Sequence, residues 1–414
     1  MKKMLLPAVK AGCCILAAAL VGLMLLCAVY LMPTDQMDAH LYPSAAVIAK
    51  EGAFPHSDIT GYLDNHTDAT ILLNAAHKNT GSLLENVLQV KRYSVSGMSP
   101  DESLVAIYQN GETEYVSESY QRYWHGYLVI VKPLLHVMDF SAIRVLNMVI
   151  GLGVVTFAVY LFLKRHLSHL IIPYILIILL LRPVGVFQSL QYSSCFYLMS
   201  ASVIAMLLLK NPKKHAFYVF LFSGIATAYF DFLTYPLATF GVAAAVYYVR
   251  TEDSLKGKLL DFLNLFALWC VGYVGMWASK WILAALLSQG DVLKEVAERL
   301  VMRSSLSADG GEMYNLWDAI GNNLAHLVNI PVMALMAVFV VVSLVVFRKR
   351  SGKLTKHHKH NLVLFGILAA LPIIWYAFTI NHSVNHSIFT HKALVVTAFA
   401  GMCMASPGKP SAKE

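Results

Sequence analysis

Apolar runs recur from residue 11 to residue 405, broken by short polar segments. A helix that crosses a bilayer needs about 20 mostly apolar residues. The pattern predicts ten spans, at 11–32, 142–163, 168–185, 195–209, 215–230, 233–249, 259–287, 329–347, 361–380 and 393–406. Several are short, which predicts tilted or kinked pairs. The first run is longer than a signal-peptide core of about 7–15 residues. Tyr30-Leu31-Met32 also lacks the small residues of a cleavage site, so a retained anchor is expected. The organisation is then a first helix (1–32), a large loop (33–127), a bundle (128–406) with a second loop at 288–328, and a tail (407–414). No internal repeat is visible.

Two polar stretches carry their own expectations. From Asp291 to Ser305, Val292, Val296, Leu300 and Val301 share one helical face while Lys294, Glu298 and Arg299 take others. That pattern predicts an amphipathic helix lying on the membrane surface. Residues 92–118, rich in Ser, Gly and acids, predict a flexible hairpin or lid.

Composition narrows the class. The chain is 57% hydrophobic and 14% charged, whereas soluble domains carry about 25% charged residues. A soluble enzyme, a disordered chain and a coiled coil are excluded, and the expected fold is an all-α polytopic membrane protein. The net charge of +8 suggests nucleic acid until its placement is examined. The segments 1–10, 164–166, 210–215, 250–258, 348–360 and 407–414 hold 19 of the 32 Lys and Arg residues. Of the 24 acids, those segments hold Glu252, Asp253 and Glu414, with Asp261 just beyond them at the inner end of its span. Basic loops stay cytoplasmic, so both termini are expected inside and no nucleic-acid partner is needed. All six cysteines lie in apolar runs, so no disulfide framework is implied. A 95-residue outer loop without a disulfide suits a bacterial plasma membrane.

Polar groups at membrane depth are costly and therefore informative. At about 1.5 Å per residue, Lys280 falls at the outer interface between Trp277 and Trp281. Asp231 falls in the outer leaflet before the helix-breaking Pro236. Arg144 and Arg182 stand near the outer ends of their spans. The competing readings are a snorkelling lysine and a capping aspartate.

Three outer clusters follow. In Asp64-Asn65-His66-Thr67-Asp68, the two carboxylates are four apart and share a face if helical. Close carboxylates raise one pKa, which suits a general base or a metal bridge, although Asp64 also reads as a helix cap. Tyr120 to Tyr127 contains Arg122, Trp124 and His125, with Lys132 following. It reads either as an interfacial aromatic belt or as a sugar platform with phosphate-binding cations. Asn381 to Lys392 offers Asn381, His382 and His386, donor-rich groups for a phosphate or sugar. No cofactor is required by this pattern, although His382 and His386 are spaced to chelate a divalent metal from one helix.

An N-terminal span, an acid-bearing first outer loop and a bundle of further spans resemble the GT-C superfamily of membrane glycosyltransferases. The sequence also resembles a set of bacterial multi-span proteins with an Asp-Asn-x-Thr-Asp stretch, a Trp-His-Gly and an Asn-His-Ser-x-x-His turn. Residues 64–68, 124–126 and 381–386 carry those motifs. The resemblance implies inverting transfer of a sugar from a polyprenyl-phosphate donor to an envelope glycan or glycolipid, with an Asp base in the first loop and cations on the lipid phosphate. Asp64, with Asp68 beside it, is the expected base. Many members place the acid just after the first span, where this chain has Asp35 and Asp38, so Asp38 is the alternative. Arg122, Lys280 and Arg303 are the expected phosphate partners, with membrane lipids around them. The rival classes are a lipid-linked sugar transporter or flippase and a non-catalytic envelope-assembly protein.

Overall fold

A computed structural model describes residues 2–111, 113–287, 291–306, 313–350 and 354–405. Helix accounts for 78% of it and sheet for almost nothing, as an all-α chain requires. The first helix is α1 (Lys2–Tyr30), which begins well before the first apolar run. The large loop folds into α2 (Asp38–Glu51), α3 (Asn65–Ala76), α4 (Leu83–Gln89), α5 (Pro100–Gln109) and α6 (Leu128–Leu135). The bundle follows with α7 (Phe140–Lys164), α8 (Ile171–Leu180), α9 (Pro183–Gln188), α10 (Leu190–Leu208), α11 (Pro212–Phe230), α12 (Leu237–Arg250) and α13 (Leu255–Leu287). After these come α14 (Val292–Ser304), α15 (Leu316–Leu327), α16 (Ile330–Arg350), α17 (Lys356–Phe378), α18 (Ile380–Asn385), α19 (Ser387–Thr390) and α20 (Val395–Ala405).

Among the described residues, seven helices are long and apolar enough to cross a membrane, the mark of a multi-pass membrane protein. They are α1 from Pro7, α7, α10, α13, α16, α17 and the continuous stretch from Ser387 to Ala405. The expected span 168–185 instead becomes the short α8, a left-handed Arg182 and α9, because Pro183 cannot continue the helix.

Burial sorts the helices. α12 is enclosed on all sides, apolar throughout its width as an interior helix must be. α16 is the opposite, with Val338 and Val341 each 59% exposed, which suits lipid. The α11–α13 pair approaches most closely through two glycines. A Cβ on Gly224 would sit 2.1 Å from the Trp269 carbonyl, and one on Gly272 2.3 Å from that of Leu221. Small residues allow such backbone contact between apolar helices.

The loop layer sits over one end of the bundle, called here the loop face. Among the described residues it holds two antiparallel pairs, β1 (His56–Ser57) with β2 (Gly61–Tyr62) and β3 (Arg92–Ser94) with β4 (Val116–Glu118). The stretch 92–118 is therefore not a lid. β3 and β4 bracket α5, whose start carries a Ser99/Glu102 capping box and whose Leu104 is fully buried.

Candidate functional site at the loop face

Asp64 is the N-cap of α3. Its Oδ1 accepts the Thr67 main-chain N–H and its Oδ2 the Thr67 hydroxyl, both at 2.9 Å. One turn on, Asp68 is fully buried and accepts the main-chain N–H groups of Leu190 and Gln191 at 3.2 Å, at the start of α10. A carboxylate is well placed there, because the first N–H groups of a helix lack internal partners. Burial raises both carboxyls. Asp68 reaches about 8, against the pull of Arg144 and with the nearby Asp64 adding to the rise. The interacting pair read from the sequence is thus present, and each member also serves a helix end.

Arg144 anchors this layer. It donates to both oxygens of Glu51 at 2.9 and 3.0 Å, to Asn65 Oδ1 at 2.8 Å and to the Gln188 carbonyl at 2.7 Å. Asn65 completes the ring by donating to Glu51 at 2.9 Å. Asp38 stands apart, exposed at the start of α2 and 3.5 Å from the Tyr108 hydroxyl.

Five further expected ligand-binding groups are spent inside the fold. Lys280, fully buried, donates to the carbonyls of Leu88 at 2.8 Å and Val87 at 3.2 Å, in the last turn of α4. Lys132 donates to Ala75 O at 2.8 Å in the last turn of α3. Cations suit those positions because the last carbonyls of a helix are unpaired. Trp124 Nε1 donates to Met276 O at 2.6 Å, and the ring is wholly buried. His125 holds a left-handed backbone (φ 57°), with Nδ1 2.6 Å from the Tyr127 hydroxyl and Nε2 2.6 Å from the Tyr120 carbonyl. The aromatic stretch therefore does not offer Trp124 or His125 as an open stacking surface. Asp231 closes the turn after α11 by accepting the Thr234 N–H at 2.9 Å and the Thr234 hydroxyl.

What remains available collects around α14. Arg122 donates to Glu295 at 2.6 Å and lies 4.3 Å from the centre of the Tyr120 ring. Its Nε is buried without a hydrogen-bond partner among the described residues, and so are Arg303 Nε, Trp277 Nε1 and the Tyr273 hydroxyl. A dry, unpaired polar atom costs about 1–3 kcal/mol. Such a gathering is completed by a ligand or by water. Arg122, Arg303, Arg299, Tyr123, Trp277 and Trp281 line a cavity of about 20 Å³ there, space for one water-sized group.

The turn at α18 adjoins this cavity. His382 Nε2 lies 2.9 Å from the carbonyl of Leu233, a residue held at φ 69°. That carbonyl accepts a hydrogen bond from Nε2–H, so the Nδ1 of His382, without a partner among the described residues, presents a lone pair. Burial, Arg303 and His386 hold His382 well below the usual imidazole range, and so neutral. His386, its ring 4.8 Å from that of His382, is lowered to about 4 by burial and by the charges of Arg303 and His66. Among the described residues no group of three or more His, Cys, Asp or Glu side chains forms a metal cage. Asn381 is buried behind this turn and accepts from Asn385 Nδ2 at 3.3 Å.

The arrangement can bind an anion next to aromatic and apolar surface. Sequence reasoning reached Arg122, Arg303, His382 and His386 but not Arg299, Trp277 as a donor, Tyr273 or Glu295. Arg299 and Arg303 are four apart, a spacing that would have put both on one face of α14. Comparison with protein-family models, with curated proteins and with solved structures gives no match.

Proposed function

We propose that the protein is a membrane glycosyltransferase of GT-C type, taking a sugar from a polyprenyl-phosphate donor at the loop face. The observation that carries the reading is the pair of arginines, Arg122 and Arg303, whose unpartnered Nε atoms border one cavity with Trp277. Guanidinium groups bind phosphate oxygens through directed, charge-assisted hydrogen bonds. The aromatic walls suit the first prenyl units. The cavity is small, so in this reading a phosphate enters as α14 shifts and the Arg122–Glu295 ion pair opens.

In this reading the phosphate leaves as the acceptor oxygen attacks the anomeric carbon. Preorganised cations favour that departure, and a carboxylate takes the acceptor proton. Asp64 is the proposed base. Among the described residues its oxygens accept two hydrogen bonds, both from Thr67, and burial raises its carboxyl above the usual range. The acceptor is an envelope glycan or glycolipid. Ten crossings, a bacterial plasma membrane and cytoplasmic termini complete the proposal, with the loop face outside.

The engagement of Asp68 by α10, and of Asp64 by Thr67, favours the rival in which the protein binds or moves the lipid-linked sugar without cleaving it. Purified protein given a radiolabelled polyprenyl-phosphate sugar separates the two. Release of sugar to an acceptor or to water, lost in Asp64→Asn while donor binding persists, supports transfer. Donor that binds, crosses a liposome membrane and stays intact refutes it.

A further inference from the structure

A second cavity, of about 130 Å³, opens on the flank of the bundle between α8, α15, α16 and α20. Leu180, Leu324, Leu327, Met333, Met336 and Leu394 form most of its wall. Leu180 and Leu394 are buried, whereas Leu324 and Met333 are about half exposed, so the cavity is a groove open to the exterior. Thr397, the polar residue in the wall, spends its hydroxyl on the Ala369 carbonyl at 2.7 Å. A space of that size with no free hydrogen-bonding group stays dry and accepts an apolar guest.

The end of the groove toward the loop face is cationic. Arg182, two residues after Leu180, donates Nη2 to the carbonyl of Val328, the residue after Leu327, at 2.7 Å. Its Nη1 reaches the carbonyls of Asp58 at 3.2 Å and Ser57 at 3.4 Å. These bonds fix the guanidinium without neutralising it, since no carboxylate pairs with it among the described residues. Lys392, two residues before Leu394, is buried with its ammonium 4.6 Å from the centre of the Tyr192 ring. It too has no carboxylate partner among the described residues. Between Leu324 and Leu327, His326 stacks on His391 at 5.9 Å. Burial lowers His326, and the charges of Lys392, His56 and Arg182 lower it further, so several positive fields meet at this mouth.

We propose that the groove seats an acyl chain of an anionic phospholipid from the loop-face leaflet, with its phosphate held by Arg182 and Lys392. Uncompensated cations beside an apolar wall are costly, and an anionic headgroup joined to a hydrocarbon chain offsets both features at once. A second protein helix would fill the groove and leave the charge. A zwitterionic lipid would bring its own cation to a positive mouth. The site lies on different helices from the cavity beneath α14, and it stands whether or not the transferase reading holds.

The test is lipid binding to the full-length protein, stripped of lipid in a neutral detergent and followed by native mass spectrometry. Phosphatidylglycerol should bind more tightly than phosphatidylcholine of the same chains, by about fivefold for each cation. Lys392→Gln, which sacrifices no side-chain hydrogen bond among the described residues, should remove about one such factor. Ala398→Phe, which fills the groove, should weaken both lipids. Glycerophosphoglycerol, the headgroup without chains, should not compete. Equal binding of the two lipids by the unaltered protein, or an unchanged preference in a folded Lys392→Gln, overturns the proposal. So does competition by the free headgroup, which would mean a soluble phosphate site. A protein that purifies as a dimer and binds lipid only after dissociation would assign the groove to a second copy instead.

Discussion

Glu295 reaches back from α14 to Arg122, 173 residues earlier in the chain, and their ion pair at 2.6 Å holds one of the arginines that line the cavity. The pair is partly exposed, with the two side chains 20% and 28% accessible. Such pairs contribute about 0.2–1 kcal/mol. In the proposed mechanism it competes with the donor phosphate for the same guanidinium.

Glu295→Gln should therefore bind polyprenyl phosphate about two- to fivefold more tightly than the unaltered protein. Arg122→Ala should bind it about tenfold more weakly or worse, as expected for a lost hydrogen bond to a charged group. Equilibrium binding of a fluorescent polyprenyl phosphate reads both. Identical affinities in all three proteins would remove Arg122 from the site.

Lys280 gives the contrary expectation. Its ammonium serves the carbonyls of Val87 and Leu88, so Lys280→Met leaves the end of α4 unsatisfied. Thermal stability in detergent should fall by about 1–3 kcal/mol, with polyprenyl-phosphate affinity in the surviving folded protein nearly unchanged. A selective loss of binding at full stability would return Lys280 to the phosphate site.

Arg144 holds Glu51, Asn65 and the Gln188 carbonyl together across three parts of the chain. Arg144→Ala should cost about 3–5 kcal/mol, the range for breaking a buried pair on one side. Arg144→Lys should rescue little, since an ammonium cannot reproduce the planar fork. Chemical denaturation followed by circular dichroism measures both.

Asp68 predicts a pH dependence of stability. Its folded pKa, about 8, lies above the ordinary carboxyl value, because burial disfavours the charge. The folded state therefore holds a proton that the unfolded state has released. This contribution is complete below about pH 4 and is lost as pH rises through about 8. Asp68→Asn should flatten that part of the stability profile. A profile as steep as that of the unaltered protein would assign the slope to another group.

Periodicity and charge carried much of the architecture. Long apolar runs such as 329–347 can satisfy their backbone in lipid only as helices, and α16 is where that run predicts it. The amphipathic spacing from Val292 likewise gave α14, and Asp64 before an apolar run was legible as a cap. Residues 92–118 misled because Ser, Gly and acids look the same in a mobile loop and in turns that frame a packed helix. Only the pairing of Arg92 with Glu118 and the burial of Leu104 distinguish the two.

The sequence by itself determined that the chain is an all-α, multi-pass membrane protein whose costly polar groups gather in a few short segments. It did so because hydropathy and local propensity act over neighbouring residues and leave a readable period. Tertiary structure alone decided what each of those groups touches. Lys280 and Lys132 became partners of helix ends, while Arg122, Arg303 and Trp277 each keep, among the described residues, an unpaired nitrogen around one cavity. A buried charge is satisfied by whichever partner packing brings near, and those partners lie far away in sequence.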